Sequence, residues 1–562
     1  MVVVITDDQG YGDFGATGNP LIDTPAIDAL AAQSASLATF YVSPVCSPTR
    51  ASLMTGRWNY RTRVVDTYLG RSMMEPAEET LAEALRAVGY RTGAFGKWHL
   101  GDCYPMRPMD QGFDESLVHR GGGLAQPSEP LENAGRYTDP ILLHNGRETP
   151  TRGFCTDVYF DAAFRFMAES VAQGKPFFAY IAVNAPHGPF HDVPADQLAK
   201  YRQRDLTPLI VEDPRHTAGP EEADRLARVA AMIGNIDQNI GRLVERLDAL
   251  GLTRETLVVF LNDNGPNTRR YVGPFRGMKT EVYEGGVRSP CWLRWPARFA
   301  PGTRVAAPAA HVDLMPTILA ACGAESAGAA CDGMNLLPLL QQPDRPWPQR
   351  PIFLQAHRGD VPLRGHHVGV RLGPWKLLRN SGFEQERLRE GIPWELYRVA
   401  EDPGETRDLA AAHPEIVARL EAAYDAWFDD VSQTRPDNYA PPRIVVDPAV
   451  VGPTTLTWQD WRGDDWEDGG YGTWLLEIRA PGPHAARLRW RNPPDASRVV
   501  VQVNDRELAY ALPPGASDWQ LVDVPLPAGA VRLAAYAVGP AGPQGAYQAV
   551  IDRNPGAAPA SE

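Results

Sequence analysis

The chain has 562 residues, of which 43% are hydrophobic and 22% charged, enough to bury a large core and divide into two or three structural units. Acidic residues outnumber basic ones 69 to 55, a formal charge of −14. That balance argues against nucleic acid or an anionic membrane as a partner and demands a local cationic pocket for any anionic substrate. No run approaches the roughly 20 apolar residues of a membrane span. The chain opens directly on the strand-like run Val2-Val3-Val4-Ile5, without the pattern of a signal peptide. As written it is expected in the cytoplasm; with a further upstream segment, in the periplasm or outside the cell.

From the start to about residue 320, β-branched or aromatic runs alternate with helical patterns, the signature of an α/β unit with a largely parallel sheet. Strands are predicted at 2–6, 91–96, 177–183 and 257–262. Helices are predicted at 24–35, 79–88, 157–172 and 221–250, each with apolar residues three and four apart. The expected fold is thus a layered α/β/α core over residues 1–350. A small α+β subdomain follows over 351–432, with strands at 352–355, 367–371, 375–378 and 394–398 and a helix at 414–429. Residues 433–447 read as a Pro-rich connector, and 448–553 as an all-β sandwich with strands such as 475–479, 499–503 and 531–537. The tail, 554–562, is expected to be disordered.

The six cysteines (46, 103, 155, 291, 322, 331) have neither zinc-type pairing nor the density of a disulfide scaffold. Cys322 and Cys331 are close enough in sequence for a small loop disulfide in an oxidising compartment, but buried free thiols are the simpler expectation.

Polar clusters fall at the carboxyl ends of the predicted core strands, where open α/β sheets bind ligands. They are Asp7-Asp8, Lys97 with His99, Asn184 with His187, and Asp263-Asn264. Each alone has a bland reading as a helix cap, a turn or a core histidine; four in one layer do not. Asp7, Asp8, Asp263 and Asn264 offer hard oxygen ligands without thiolate or imidazole, which suits calcium or magnesium rather than zinc. Three adjacent carboxylates are expected to repel strongly without a cation.

The sharpest local signal is Val45-Cys46-Ser47-Pro48-Thr49-Arg50, with Pro48 placed for the first turn of a helix over 49–55. Residue 46 then faces a helix N-terminus that favours an anion, and Arg50, four residues on, shares its face. A buried structural cysteine beside a surface arginine would look the same at these two positions. A Cys-thiolate phosphatase loop needs five residues between Cys and Arg; here there are three.

At these residues the chain resembles the type I, formylglycine-dependent sulfatases of the alkaline-phosphatase superfamily, whose signature is C-x-P-x-R followed closely by T-G-R. Here these are Cys46-Ser47-Pro48-Thr49-Arg50 and Thr55-Gly56-Arg57. The likeness runs from Thr6-Asp7-Asp8-Gln9-Gly10 through Gly96-Lys97-Trp98-His99, Ala185-Pro186-His187, Asn262-Asp263-Asn264-Gly265, Arg276-Gly277-Met278-Lys279 and Glu284-Gly285-Gly286-Val287-Arg288 to Glu395-Leu396-Tyr397. It covers about the first 430 residues.

The resemblance implies an arylsulfatase-like hydrolase with an alkaline-phosphatase-like fold. It implies that a formylglycine-generating enzyme oxidises Cys46 to Cα-formylglycine, whose hydrate is the nucleophile. It implies one Ca2+ held by Asp7, Asp8, Asp263, Asn264 and residue 46. Arg50 would stabilise the formylglycine, Lys97 and Lys279 would neutralise developing charge, and His187 with Lys279 would assist the leaving group. His99 would then release sulfate from a sulfated hemiacetal. The substrate class implied is an aryl sulfate or a sulfated carbohydrate. Two other readings are a phosphonate or phosphate ester hydrolase of the same superfamily and a non-catalytic sulfated-glycan binder. Outside the resemblance, Trp458, Trp461, Trp466 and Trp474 form either a sugar-stacking platform or, as is commoner, a sandwich core. Gln355, His357 and Arg358 are within reach of a pocket mouth but are expected to be ordinary loop residues.

Overall fold

The computed structural model describes residues 1–211, 220–463 and 470–553. The run that opens the chain becomes the middle of a ten-stranded sheet. Val2–Thr6 lies parallel to Phe177–Ala182 on one side and Val258–Asn262 on the other, and Arg91–Lys97 and Glu115–His119 continue the parallel set. The sheet ends in antiparallel pieces, a hairpin of Ile141–His144 and Arg147–Pro150 at one edge and Cys291–Arg294 against Val258–Asn262 toward the other.

Both faces of the sheet are covered, which is why its central strands are continuous apolar runs rather than alternating ones. Val3 and Ile5 join Phe178, Tyr180, Val259 and Leu261 in one cluster, beneath Leu53 of helix Cys46–Thr55, Leu85 of Leu81–Ala87 and Ile318 of Leu314–Cys322. Val2 and Val4 join Ala179, Ile181 and Phe260 in the other, beneath Phe160 of Cys155–Ala172 and Ile236 of Pro220–Ala249. The α/β/α layering expected from the sequence is present.

The differences are local. The helix expected over 24–35 is Pro25–Ala32, because Ala35–Leu37 leaves it to pair with Cys291–Arg294. The helix expected from residue 49 begins three residues earlier, as Cys46–Thr55, and Pro48, its third residue, lies in the first turn as expected. It ends at Gly56, whose φ of +65° is the left-handed cap that glycine adopts freely, and a Cβ there would lie 2.8 Å from Cys331 Sγ. Cys331 therefore packs at the end of that helix while Cys322 lies beside Tyr90, and neither is in a disulfide. Both are half-buried rather than buried.

A second, antiparallel sheet runs Ile352–Gln355, Val368–Leu372, Trp375–Arg379, Glu395–Tyr397, with helix Pro414–Ser432 packed on it. Phe353 stacks on Trp427 at 4.7 Å between ring centroids, and Trp58 of the first unit packs edge-on to both. The joint carries one buried charge cluster: Lys376 Nζ lies 3.0 Å from Glu284 Oε1 and 2.9 Å from Glu405 Oε1, all three side chains removed from solvent.

The last two sheets face each other. A seven-stranded sheet holds Ile444–Val446, Gly472–Ile478, Gly529–Gly539, Arg498–Val503 and Arg506–Ala511 in that order. A four-stranded one holds Thr454–Thr457, Gln548–Arg553, Gly482–Arg489 and Asp518–Leu526. Ile444–Val446 comes from the segment read as a connector; it pairs in parallel with Gly472–Ile478. Trp458, Trp461 and Trp474 are buried in the core between the sheets, with indole N–H groups of Trp458 and Trp474 bound to backbone carbonyls, so they present no stacking platform. Trp466 and residues 554–562 lie outside the described residues.

This core is not closed off from the α/β unit. Leu69, Met73, Cys103 and Met106 belong to it, the Tyr547 hydroxyl donates to Glu129 O at 2.8 Å, and Val445 N–H donates to Tyr104 O at 3.0 Å. Among the described residues no helix is long and apolar enough to cross a membrane.

Removing the cation from the Lys376 cluster leaves Glu405 buried without a charged partner, while Glu284 keeps Arg288 at 2.8 Å. Lys376→Met is expected to destabilise the protein by about 3–5 kcal/mol in urea unfolding; a loss below about 1 kcal/mol would show that water reaches the cluster.

Candidate active site

Five segments bring the site together at the carboxyl edge of the parallel strands. Asp7 and Asp8 follow Val2–Thr6, Lys97 ends Arg91–Lys97, and Asp263 and Asn264 follow Val258–Asn262. Cys46 is the first residue of its helix, and Lys279 arrives on the loop before Glu284–Val287. The strand ends are tied by Thr6 Oγ1 donating to Asn262 Oδ1 at 2.9 Å and Asn262 Nδ2 donating to Gln9 O at 2.6 Å. Asp8 and His99 both have left-handed backbone, φ +58° and +61°, a conformation that side chains adopt at a cost and that clusters at functional sites.

The three carboxylates are each met by a cation. Lys97 Nζ is 2.7 Å from Asp7 Oδ2, Lys279 Nζ is 2.6 Å from Asp8 Oδ1, and Arg50 Nη2 is 2.8 Å from Asp263 Oδ2. The repulsion expected of three carboxylates without a cation is offset by side chains: three positive and three negative groups interleave. Arg50 is no surface arginine, being fully buried and donating also to Lys97 O at 2.9 Å.

Burial pushes the Asp7 carboxyl up to about 8, against the pull of Lys97 and reinforced by Asp263 and Asp8. For Asp8 burial acts in the same sense but is outweighed by Lys279 and His187, and its carboxyl is held well below the usual range. The Lys279 ammonium is correspondingly raised, burial being overcome by Asp8. Burial pushes the Cys46 thiol up although Lys97 and Lys279 oppose it. Burial thus works against a thiolate nucleophile at Cys46.

Three buried oxygens in this pocket, Asp7 Oδ1, Asp8 Oδ2 and Asn264 Oδ1, have no hydrogen-bond donor. Asn264 Nδ2 is committed to Asp8 Oδ1 at 2.8 Å and to Gly265 O, which fixes its amide so that Oδ1 is the unmet atom. Donor atoms of Asp7, Cys46 and Asp263 lie within 4.8 Å of one another, as do those of Asp7, Asp8 and His187. The residues predicted as metal ligands are therefore brought together.

The two histidines are fixed in opposite tautomers. His99 Nε2 lies 2.7 Å from Thr67 O, an atom that only accepts, so Nε2 carries the proton and Nδ1, buried and unpartnered, keeps its lone pair. His187 Nδ1 lies 2.6 Å from Gly188 O, so its Nε2 is the open nitrogen, 3.7 Å from Asp8 Oδ2. Burial lowers both imidazoles, His187 to about 4 despite Asp8. His187 and Lys279 retain 13% and 16% side-chain exposure, whereas the side chains of Asp7, Asp8, Arg50, Lys97 and Asp263 have none, which places the mouth of the pocket on the His187–Lys279 side.

Sequence reasoning missed the wall opposite. Gly122 and Gly123 run past both histidines; a Cβ on Gly122 would lie 2.6 Å from His99 Cε1, and one on Gly123 would lie 3.4 Å from His187. Three consecutive glycines, Gly121 to Gly123, were the available signal. Thr67 acts through its carbonyl and left none. Gln355 and His357 are buried structural groups, Gln355 donating to Leu363 O and His366 O, while Arg358 is occupied by Asp66 and Glu384.

A family model described as Sulfatase matches residues 1–324, and one described as N-sulphoglucosamine sulphohydrolase, C-terminal, matches residues 278–426. The chain belongs to the sulfatase family. It is a sulfuric ester hydrolase of the alkaline-phosphatase superfamily. It is 32% identical to human arylsulfatase A over 464 residues, 75% of this chain and 86% of that protein. It is 29% identical to human N-acetylgalactosamine-6-sulfatase over 501 residues, 79% of this chain and 90% of that one. The crystal structure of Ps i-CgsB in complex with k-i-k-neocarrahexaose superposes with a TM-score of 0.64 at 28% identity, covering 77% of this chain and 93% of that chain. A phosphonate monoester hydrolase of Agrobacterium radiobacter, at 19% identity and a TM-score of 0.54, shares the fold.

The glycine wall gives this sulfatase a test of its own geometry. Gly122→Ala, by displacing the His99 ring, is expected to cut sulfate-ester turnover by about tenfold or more with little change in unfolding midpoint. Turnover within about twofold of wild type would mean that the ring is not held where the geometry puts it.

Proposed function

We propose that this sulfatase hydrolyses sulfate monoesters of carbohydrates or phenols with a formylglycine derived from Cys46 as nucleophile and Ca2+ as its metal ion. The observation that carries the reading is a buried Cys46 placed among three cations and three donor-less oxygens. A hydroxyl at that position would be surrounded by groups that stabilise an oxyanion.

The pocket fits the metal. Asp7, Asp8, Asp263 and Asn264 supply hard oxygens, the donor set of calcium, and three oxygens of this set are left without donors. Asp7, Asp8, Asp263 and Asn264 would hold the ion, and when bound it would supply positive charge that polarises a sulfate ester. Residue 46, as formylglycine hydrate, supplies the attacking hydroxyl.

The chain's own residues divide the remaining work. Arg50 pins Asp263 and the Lys97 carbonyl, holding the floor of the pocket in one geometry. Lys97 and Lys279 offset the negative charge that grows on the sulfuryl oxygens. His187 and Lys279, at the mouth, face the departing alcohol, and Lys279 is held protonated beside it. His99, with Nδ1 unprotonated, is the base that takes the proton leaving residue 46 when sulfate is released. A sulfated carbohydrate is supported by the names of two relatives, N-acetylgalactosamine-6-sulfatase and Ps i-CgsB in its neocarrahexaose complex.

Co-expression with a formylglycine-generating enzyme, peptide mass analysis around residue 46 and rates on matched aryl sulfate and aryl phosphate test the proposal together. The expected result is an aldehyde at 46, sulfate hydrolysed faster than phosphate, and no turnover by Cys46→Ala. Full activity from an unmodified thiol would refute the nucleophile, and faster phosphate cleavage by the aldehyde form would reassign the substrate to phosphate esters.

A further inference from the structure

The atom that fixes the His99 tautomer belongs to a loop that the C-terminal sandwich holds. Thr67 O accepts not only from His99 Nε2 but also from Gln459 Nε2, at 2.9 Å. The second hydrogen of the same amide goes to Ser72 Oγ at 2.8 Å, and Gln459 O accepts from Gly70 N at 2.7 Å. Gln459 thus clasps residues 67–72 at three points while itself 2% exposed. Its own turn is rigid, lying between Trp458 and Trp461, whose rings stack at 5.5 Å. From the other side, Asp66 takes the Thr67 N–H at 2.7 Å and is anchored by Arg358 at 2.7 Å.

Neither family match reaches Gln459; they end at residues 324 and 426. Gln459 thus reaches from beyond both matches to Thr67 and Ser72 inside the first. A carbonyl that receives two donors is held in place even when one of them moves, and a histidine base is only as well aimed as the acceptor behind it.

We propose that Gln459 is a positioning residue for sulfate-ester hydrolysis. It holds the Thr67 carbonyl so that His99 keeps its proton on Nε2 and its lone pair on Nδ1, which makes the sandwich part of the catalytic apparatus rather than an appendage. The inference rests on the role given to His99 above.

Because His99 serves the release of sulfate and not the first bond cleavage, the defect has a kinetic signature that general distortion lacks. The test uses the full-length, formylglycine-bearing protein with a nitrophenyl sulfate. Gln459→Leu is expected to lower kcat by about tenfold or more, to leave kcat/KM within about twofold, and to release a burst of about one nitrophenol per site before slow turnover. Gln459→Glu keeps the size of the side chain but removes the donors, and is expected to behave likewise if the leucine variant does not fold. Combined with His99→Ala, neither substitution should add a further loss.

Wild-type kcat in both variants would overturn the proposal. So would a parallel fall of kcat and kcat/KM without a burst, or a loss that multiplies with that of His99→Ala. If His99→Ala itself turns over normally, the role of His99 fails and the inference falls with it. If His99→Ala shows the burst but the Gln459 variants do not, the inference alone fails.

Discussion

Everything at this site depends on interleaving three carboxylates with three cations in a pocket whose floor is closed to solvent. Taken singly, Asp7, Asp8 and Asp263 are costly to bury, and so are Arg50, Lys97 and Lys279. Paired, they form a floor in which each carboxylate has its own cation, with oxygens left over that no protein donor meets. A divalent cation bound at those oxygens would add positive charge to that floor. The scaffold's task is to deliver these six side chains from distant parts of the chain to one plane, and a parallel sheet with all its strand ends on one edge does so.

That logic explains what was legible in the sequence. Val2-Val3-Val4-Ile5 followed by Asp7-Asp8, and the run at 258–262 followed by Asp263-Asn264, combine a strand buried on both faces with polar residues at its end, and both features are written locally. The same is true of Cys46 and Arg50, one helical turn apart. What the sequence did not display is long-range. Ala35–Leu37 is a strand only because Cys291–Arg294 lies beside it. The Arg50–Asp263 pair spans 213 residues, and only the fold shows that each carboxylate has its own cation. Thr67 contributes a backbone carbonyl, which no residue type announces. The glycine wall was visible as Gly121-Gly122-Gly123, but its meaning lies in the His99 ring that it passes.

The three parts of the chain are less separable than their sheets suggest. The second sheet shares a buried Lys376 with Glu284 and Glu405, and the sandwich takes Leu69, Met73, Cys103 and Met106 into its own core. Both reach the 66–72 loop, one through Arg358 and one through Gln459, and that loop carries the acceptor of His99. Trp458 and Trp461, expected as sandwich core more than as a glycan platform, are core and flank the turn that makes this contact.

The central claim is that the unmet oxygens beside residue 46 form a divalent-cation site, and calorimetric titration of Ca2+ into the metal-stripped full-length protein tests it most directly. The account predicts saturable binding of one ion per chain, a rise in melting temperature that grows with free Ca2+, and loss of both in Asp7→Asn. Absence of binding to the wild-type protein, or binding unchanged by Asp7→Asn, would contradict it.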